Sequence, residues 1–289
     1  MSRFIIQFVL ITASLTALSA AEPASKADSP TVAKDAERPG WKLVWSDEFD
    51  HDGLPDPAKW NYEKGFLRNN ELQYYTEGRS ENARVENGML VIEARKEEYT
   101  DPHGSPKARE AHYTSASLTT KKSASWTYGR IEVRAKLPKG KGTWPAIWML
   151  GNNHDGWPKC GEIDIMENVG FDPDGIHATV HTQAYNHIKH TAKGHRTTIS
   201  HPYDDFHVYG IEWNAKAITF LVDDNKVFSF ENDGKGVDTW PYDRPEYLLI
   251  NFAVGGAWGG ARGVDESIFP QKYLIDYVRV YEKADGAGN

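Results

Sequence analysis

The chain has 289 residues, 39% hydrophobic and 12% aromatic, enough to bury one large β domain or two ordinary ones. A formal charge of −8 argues against nucleic acid or an anionic membrane as partner and favours a neutral one. Cys160 is the only cysteine, which excludes an intramolecular disulfide and leaves the core to hold the fold.

Arg3 followed by an apolar run over residues 4–18 and the small residues Ser19, Ala20 and Ala21 reads as an export signal covering residues 1–21. The run falls short of the ~20 residues that span a bilayer, so no membrane attachment is expected after cleavage. Cleavage removes Arg3 as the one charged residue and moves the formal charge from −8 to −9. The protein is expected to be secreted or periplasmic. Residues 22–40, rich in Ala, Lys, Asp, Ser and Pro, read as a flexible linker.

From Trp41 the pattern alternates. Residues 41–45 predict a first strand, and Asp56-Pro57 opens a capped helical turn. An irregular stretch over 69–75 precedes further strands at 89–97, 115–121 and 129–137. Strands follow at 144–150, 162–167 and 176–183. Residues 206–213, 217–223 and 226–231 then read as a meander, with Asp224-Asn225 as its turn. Residues 246–254 are apolar enough for a central strand, a glycine-rich loop surrounds Trp258, and 273–282 closes the domain. With 25 Gly and 15 Pro, no sustained 3.6 period and no internal repeat, one all-β domain over 41–283 is expected, a two-sheet antiparallel sandwich with a polar tail at 284–289.

The segment Glu162-Ile163-Asp164-Ile165-Met166-Glu167 concentrates the chemistry. With side chains alternating along a strand, Glu162 and Asp164 share a face and Glu167 has the wrong parity. One extra residue, a β-bulge at Ile165–Met166, returns Glu167 to the carboxylate face. An ordinary solvated acidic face is the plain alternative, but like charges crowded on one face repel. Paired carboxyls with separated pKa values are what acid–base and nucleophilic work on an acetal requires. By the same parity Trp144 and Trp148 fall on one face of their strand, and His177, Thr179 and His181 on one face of theirs. Indoles beside carboxylates suit a sugar. His177 and His181 stand ~13 Å apart on a strand, too far for one zinc ion.

The acidic hexapeptide, preceded by Trp144-Pro145-Ala146-Ile147-Trp148-Met149-Leu150, resembles glycoside hydrolase family 16, and within it the bacterial laminarinases. His177–Thr182, Tyr185-Asn186-His187, Ile211-Glu212-Trp213, Asn251–Gly256 and Ile275–Tyr281 share the likeness, which spans residues 41–283. The resemblance implies a β-jelly-roll sandwich with a concave cleft. It implies a retaining double displacement, with Glu162 as nucleophile, Glu167 as acid/base and Asp164 assisting. It implies aromatic subsites at Trp144, Trp148 and Trp157, with Asn70, Arg79, His181 and Trp258 as further cleft contacts. It implies no cofactor for catalysis, and a structural calcium at Glu48, Gly88 and Asp276 held largely by backbone oxygens. The substrate expected is a neutral β-glucan cleaved by a monomer. A galactan hydrolase and a non-catalytic glucan-binding module are the alternatives.

Overall fold

Alternating apolar residues give nearly every strand one face for the core. The computed structural model describes residue 1, residues 36–104 and residues 110–284. All but residue 1 of the expected signal, most of the linker and all but the first residue of the tail lie outside these. The strands are β1 (Trp41–Asp47), β2 (Asn61–Glu63), β3 (Gln73–Tyr75), β4 (Ala83–Glu86), β5 (Met89–Tyr99) and β6 (Ala111–Ser115). Next come β7 (Ser117–Thr119), β8 (Gly129–Lys136), β9 (Thr143–Gly151), β10 (Glu162–Val169), β11 (Asp172–His181) and β12 (Lys193–Thr198). The last are β13 (His207–Trp213), β14 (Ala217–Val222), β15 (Asn225–Glu231), β16 (Glu246–Val254) and β17 (Gln271–Lys283). One short helix, α1 (Gly256–Gly259), lies in the glycine-rich loop.

Ten strands form one sheet, in which β15-β14-β13-β8-β17-β5-β6-β3 are neighbours while β1 joins β17 and β4 joins β5. Seven form the other, in the order β12-β11-β10-β9-β16-β7-β2. Non-sequential neighbours such as β8 between β13 and β17 are the long crossings of a jelly roll. Pairing is antiparallel except for β3 beside β6, which is parallel. Between the sheets, Ile131, Val133, Ile211 and Phe220 of the larger meet Ile147, Met149, Ile163, Val180 and Ile250 of the smaller in one core. β16 is buried on both faces, which explains its near-continuous apolar run.

Several expectations shift. The domain starts before Trp41, because Arg38 pairs with Glu132 and Asp224 and Trp41 N–H donates to the Arg38 carbonyl. The single strand expected at 115–121 is the end of β6 and then β7, interrupted at Ala116. Val222 pairs with Asn225, so the meander turn is Asp223-Asp224, both at positive φ, one residue earlier than expected. The turn at Asp56 is a single one, closed by Trp60 N–H on the Asp56 carbonyl and capped by the Asp56 side chain on Ala58 N–H.

Candidate active site

β10 lies inside the seven-stranded sheet, between β9 and β11. Along β9, Asp164 faces Trp148 and Met166 faces Ile147, so Ile165 is the extra residue. Along β11, Asp164 faces Thr179 and Glu167 faces His177, two residues of β10 against the single Ala178. The bulge therefore lies where the parity argument requires it. Ile163, Ile165 and Met166 all enter the core, and Glu162, Asp164 and Glu167 all line one cavity of about 340 Å³ on the opposite face. Gly161, at φ +90° immediately before Glu162, lies where a Cβ would come 3.0 Å from both the Glu246 carboxyl and the Pro241 ring.

Each acid has a distinct partner. Trp157 Nε1–H donates to Glu162 Oε2 at 2.5 Å, and Trp144 Nε1–H to Glu167 Oε1 at 3.0 Å. His181 Nε2 lies 3.3 Å from Asp164 Oδ2 and 3.9 Å from Glu162 Oε1. Tyr242 O–H donates to the backbone carbonyls of Glu162 and His181, tying β10 to β11 from below. Burial is the first cause pushing all three carboxyls up, followed by their mutual repulsion. Glu162 rises to about 8 against the charge of Asp164, with His181 and the Trp157 hydrogen bond opposing. Glu167 rises to about 7, the Trp144 bond opposing burial. Asp164, 3% exposed, is raised well above the carboxylate range by burial and by Glu167.

Of the expected contacts, Trp144, Trp148 and Trp157 line the cavity. Trp157 rides the loop between β9 and β10, 37% exposed, with His187 at 5.0 Å between ring centroids. Trp258 extends the aromatic wall, edge-on to Trp144 at 5.5 Å and to His177 at 4.8 Å. His181 is buried against the acids and positions them. Asn70 and Arg79 are corrected. Asn70 is an exposed turn residue at positive φ, and the wall is made by its neighbours Asn69 and Glu71. Arg79 does not line the cavity; Glu97 holds its guanidinium with two bonds, at 2.6 and 3.0 Å.

Asn251, Glu71, Arg68 and His187 line the cavity without having been expected as site residues, although Asn251 and His187 lie in motifs that carry the family likeness. Trp148 Nε1–H donates to Asn251 Oδ1 at 2.7 Å, Asn251 Nδ2–H to the Tyr75 hydroxyl at 2.9 Å, and that hydroxyl to Glu71 Oε2 at 3.2 Å. An amide inside the otherwise apolar β16 was the available signal for Asn251. Cys160 is buried, and burial followed by the charges of Glu246 and Glu162 pushes its thiol up to about 11, which excludes thiolate chemistry at neutral pH.

The expected calcium positions Glu48, Gly88 and Asp276 fall around β17. β17 pairs with β5 up to Ile275 opposite Leu90 and with β1 from Val278 opposite Asp47. Gly88 and Glu48 therefore flank the junction, where Asp276 is the extra residue of a bulge against β8. Glu48 is held by Arg279 at 2.9 and 3.0 Å, and Asp276 by Arg134 at 2.8 Å. A cation there would draw on backbone oxygens and the Asp276 carboxylate, an all-oxygen set that suits calcium. Among the described residues His177 joins no ligand cluster; its Nε2 lies 3.4 Å from Asp172.

The sequence model for glycosyl hydrolases family 16 matches residues 70–279. A β-glucanase of Rhodothermus marinus is 53% identical over 255 residues, 84% of this chain and 86% of that protein. The solved laminarinase of Rhodothermus marinus is 50% identical, with a TM-score of 0.79 over 85% of this chain and 98% of that one. A non-specific endo-β-1,3(4)-glucanase, co-crystallised with 1,3-β-D-cellotriosyl-glucose, is 51% identical, with a TM-score of 0.79 over 84% and 95%. A bulged acidic strand on the open face of a two-sheet jelly roll, matched over most of its length, leaves one conclusion: the chain belongs to glycosyl hydrolase family 16.

Proposed function

We propose that this hydrolase cleaves β-1,3-glucan internally, with mixed β-1,3-1,4-glucan as a second substrate, by a retaining double displacement. The observation that carries the reading is that Glu162, Asp164 and Glu167 share one face of a single bulged strand, in a cavity walled by Trp144, Trp148 and Trp157. The relatives supply the linkage: they are a β-glucanase, a laminarinase and a glucanase crystallised with a 1,3-linked oligosaccharide.

Glu162 attacks the anomeric carbon while Glu167 gives its proton to the departing glycosidic oxygen. The nucleophile must be an anion, yet Glu162 is pushed to about 8 and Glu167 to about 7, the reverse of these roles. The donors decide. Asp164 is the deepest of the three, whereas the Glu162 side chain keeps 16% exposure, so the extra proton belongs on Asp164. Glu162 accepts from Trp157 and faces His181, both of which favour its anion, and the negative charge settles on Glu162. Glu167, raised to about 7, still carries its proton in mildly acidic solution. Once Glu162 is glycosylated its charge is gone, the Glu167 pKa falls, and Glu167 takes a proton from the incoming water.

We further propose export through residues 1–21, action as a monomer, and a structural calcium at Glu48, Gly88 and Asp276. A melting temperature raised by calcium and lowered by a chelator is the result expected for that ion. Reducing-end release from laminarin, mixed-linkage glucan, agarose and carrageenan tests the function. Release from laminarin is expected, and activity confined to a galactan would overturn the substrate.

A further inference from the structure

We propose that Arg68, clamped by Glu63, is a specificity-determining residue that grips an uncharged sugar ring beyond the reacting one; this rests on the glucan reading above. Arg68 lines the same cavity as the three acids. Its guanidinium lies over the Trp148 ring at 4.8 Å, so on that side the indole is already covered. A sugar arriving there meets a plane of N–H donors instead of an aromatic face.

Two features make this a built site. Arg68 Nη1–H donates to Glu63 Oε1 at 3.2 Å and Nη2–H to Glu63 Oε2, and Ser117 Oγ–H donates to the same carboxylate at 2.7 Å. Among the described residues no other hydrogen bond engages the guanidinium, so three of its five N–H bonds remain for the cleft. The loop carrying Arg68 is also pinned. Glu71 N–H closes on the Arg68 carbonyl, Ala257 N–H on the Asn69 carbonyl, and Glu71 bridges to Gly255. The fork is therefore held in place before substrate arrives, which favours binding.

The register sets its position. Glu63 pairs with Ser117, Ser117 with Asn251, Asn251 with Ala146, and Ala146 with Glu167, one row across the sheet. Trp148, under the guanidinium, is one strand spacing (~4.8 Å) from β10. Glu63, which holds the guanidinium, stands on β2, four strands from β10, so Arg68 faces a ring beyond the reacting one on that side of the acids. Charge sets the selectivity. The Glu63 carboxylate cancels the guanidinium, and Glu71 stands in the same wall. The site offers hydrogen bonds without net positive charge, a match for hydroxyls and a poor one for sulfate or uronate.

The test is kcat/KM on laminari-oligosaccharides of increasing length for the wild type and Arg68→Met, which keeps an apolar stem over Trp148 and removes the donors. The expected result is a loss of roughly tenfold to a hundredfold, confined to oligosaccharides long enough to reach the Arg68 subsite. An equal loss at every length, or none, overturns the proposal while leaving the glucan reading intact. A wild type that cleaves no oligosaccharide of the series sinks both. Glu63→Gln supplies the second arm: it unmasks the cation, and inhibition by sulfated laminarin should become stronger than in the wild type. Unchanged or weaker inhibition contradicts the charge-cancelling role.

Discussion

Replacing Glu167 by Gln should make the fold more stable, and the gain should grow with pH. Gln keeps the acceptor for the Trp144 indole but cannot ionise. The Glu167 carboxyl is raised from 4.5 to about 7 by burial first, and by the charge of Glu162. The folded protein thus holds this proton more tightly than the unfolded chain. The resulting stabilisation is full below pH 4.5 and is lost as pH rises through 7. At face value the difference is ~3.4 kcal/mol, at ~1.36 kcal/mol per pH unit. Glu167 is only half-buried in an open cleft, and water there reduces the effective figure to ~1.5 kcal/mol. Gln escapes that loss. Its melting temperature should match the wild type near pH 4.5 and exceed it by roughly 3–6 °C at pH 7.5. Thermal unfolding across this pH range, at one scan rate, is the assay. A gain of equal size at both ends, or a lower melting temperature at pH 7.5, would refute the linkage argument.

Inserting one alanine between Met166 and Glu167 adds a second extra residue after the bulge and gives Glu167 the parity of a core position. Burying that carboxyl costs several kcal/mol, so the insertion should melt far below the wild type and be inactive, while Met166→Leu keeps both fold and activity; an active, stable insertion contradicts the parity assigned to Glu167. Trp157→Phe removes the 2.5 Å donor to Glu162. The Glu162 anion loses support, so the acidic limb of kcat/KM should move to higher pH, by about one unit given a charged hydrogen bond on a partly exposed loop. A raised KM with the limb unmoved would mean that Trp157 only stacks on sugar.

The order of elements was readable wherever one face of a strand is apolar. β8 and β9 follow directly from alternation and β16 from its near-continuous apolar run, and the parity clash at Glu167 locates the bulge from the sequence alone. β2, β3, β4 and β12 were not readable. The first three are only three or four residues long, and β12 is an exposed edge whose Lys193, His195 and Arg196 carry no core signal. The acids and indoles were legible because like charges and aromatic residues clustered on one face need a reason. Glu71 and Arg68 were not, because their role comes from a loop folded onto β9 and β16 from far away in sequence. Arg79 shows the opposite error: an arginine near the cleft in sequence can be consumed by a carboxylate, here Glu97.

The central claim is that Glu162 and Glu167 serve one sugar ring from a single strand by double displacement. Proton NMR of the first product released from laminarin tests it most directly. The account predicts the β-anomer first, with the α-anomer appearing only by later mutarotation. Initial release of the α-anomer would contradict it.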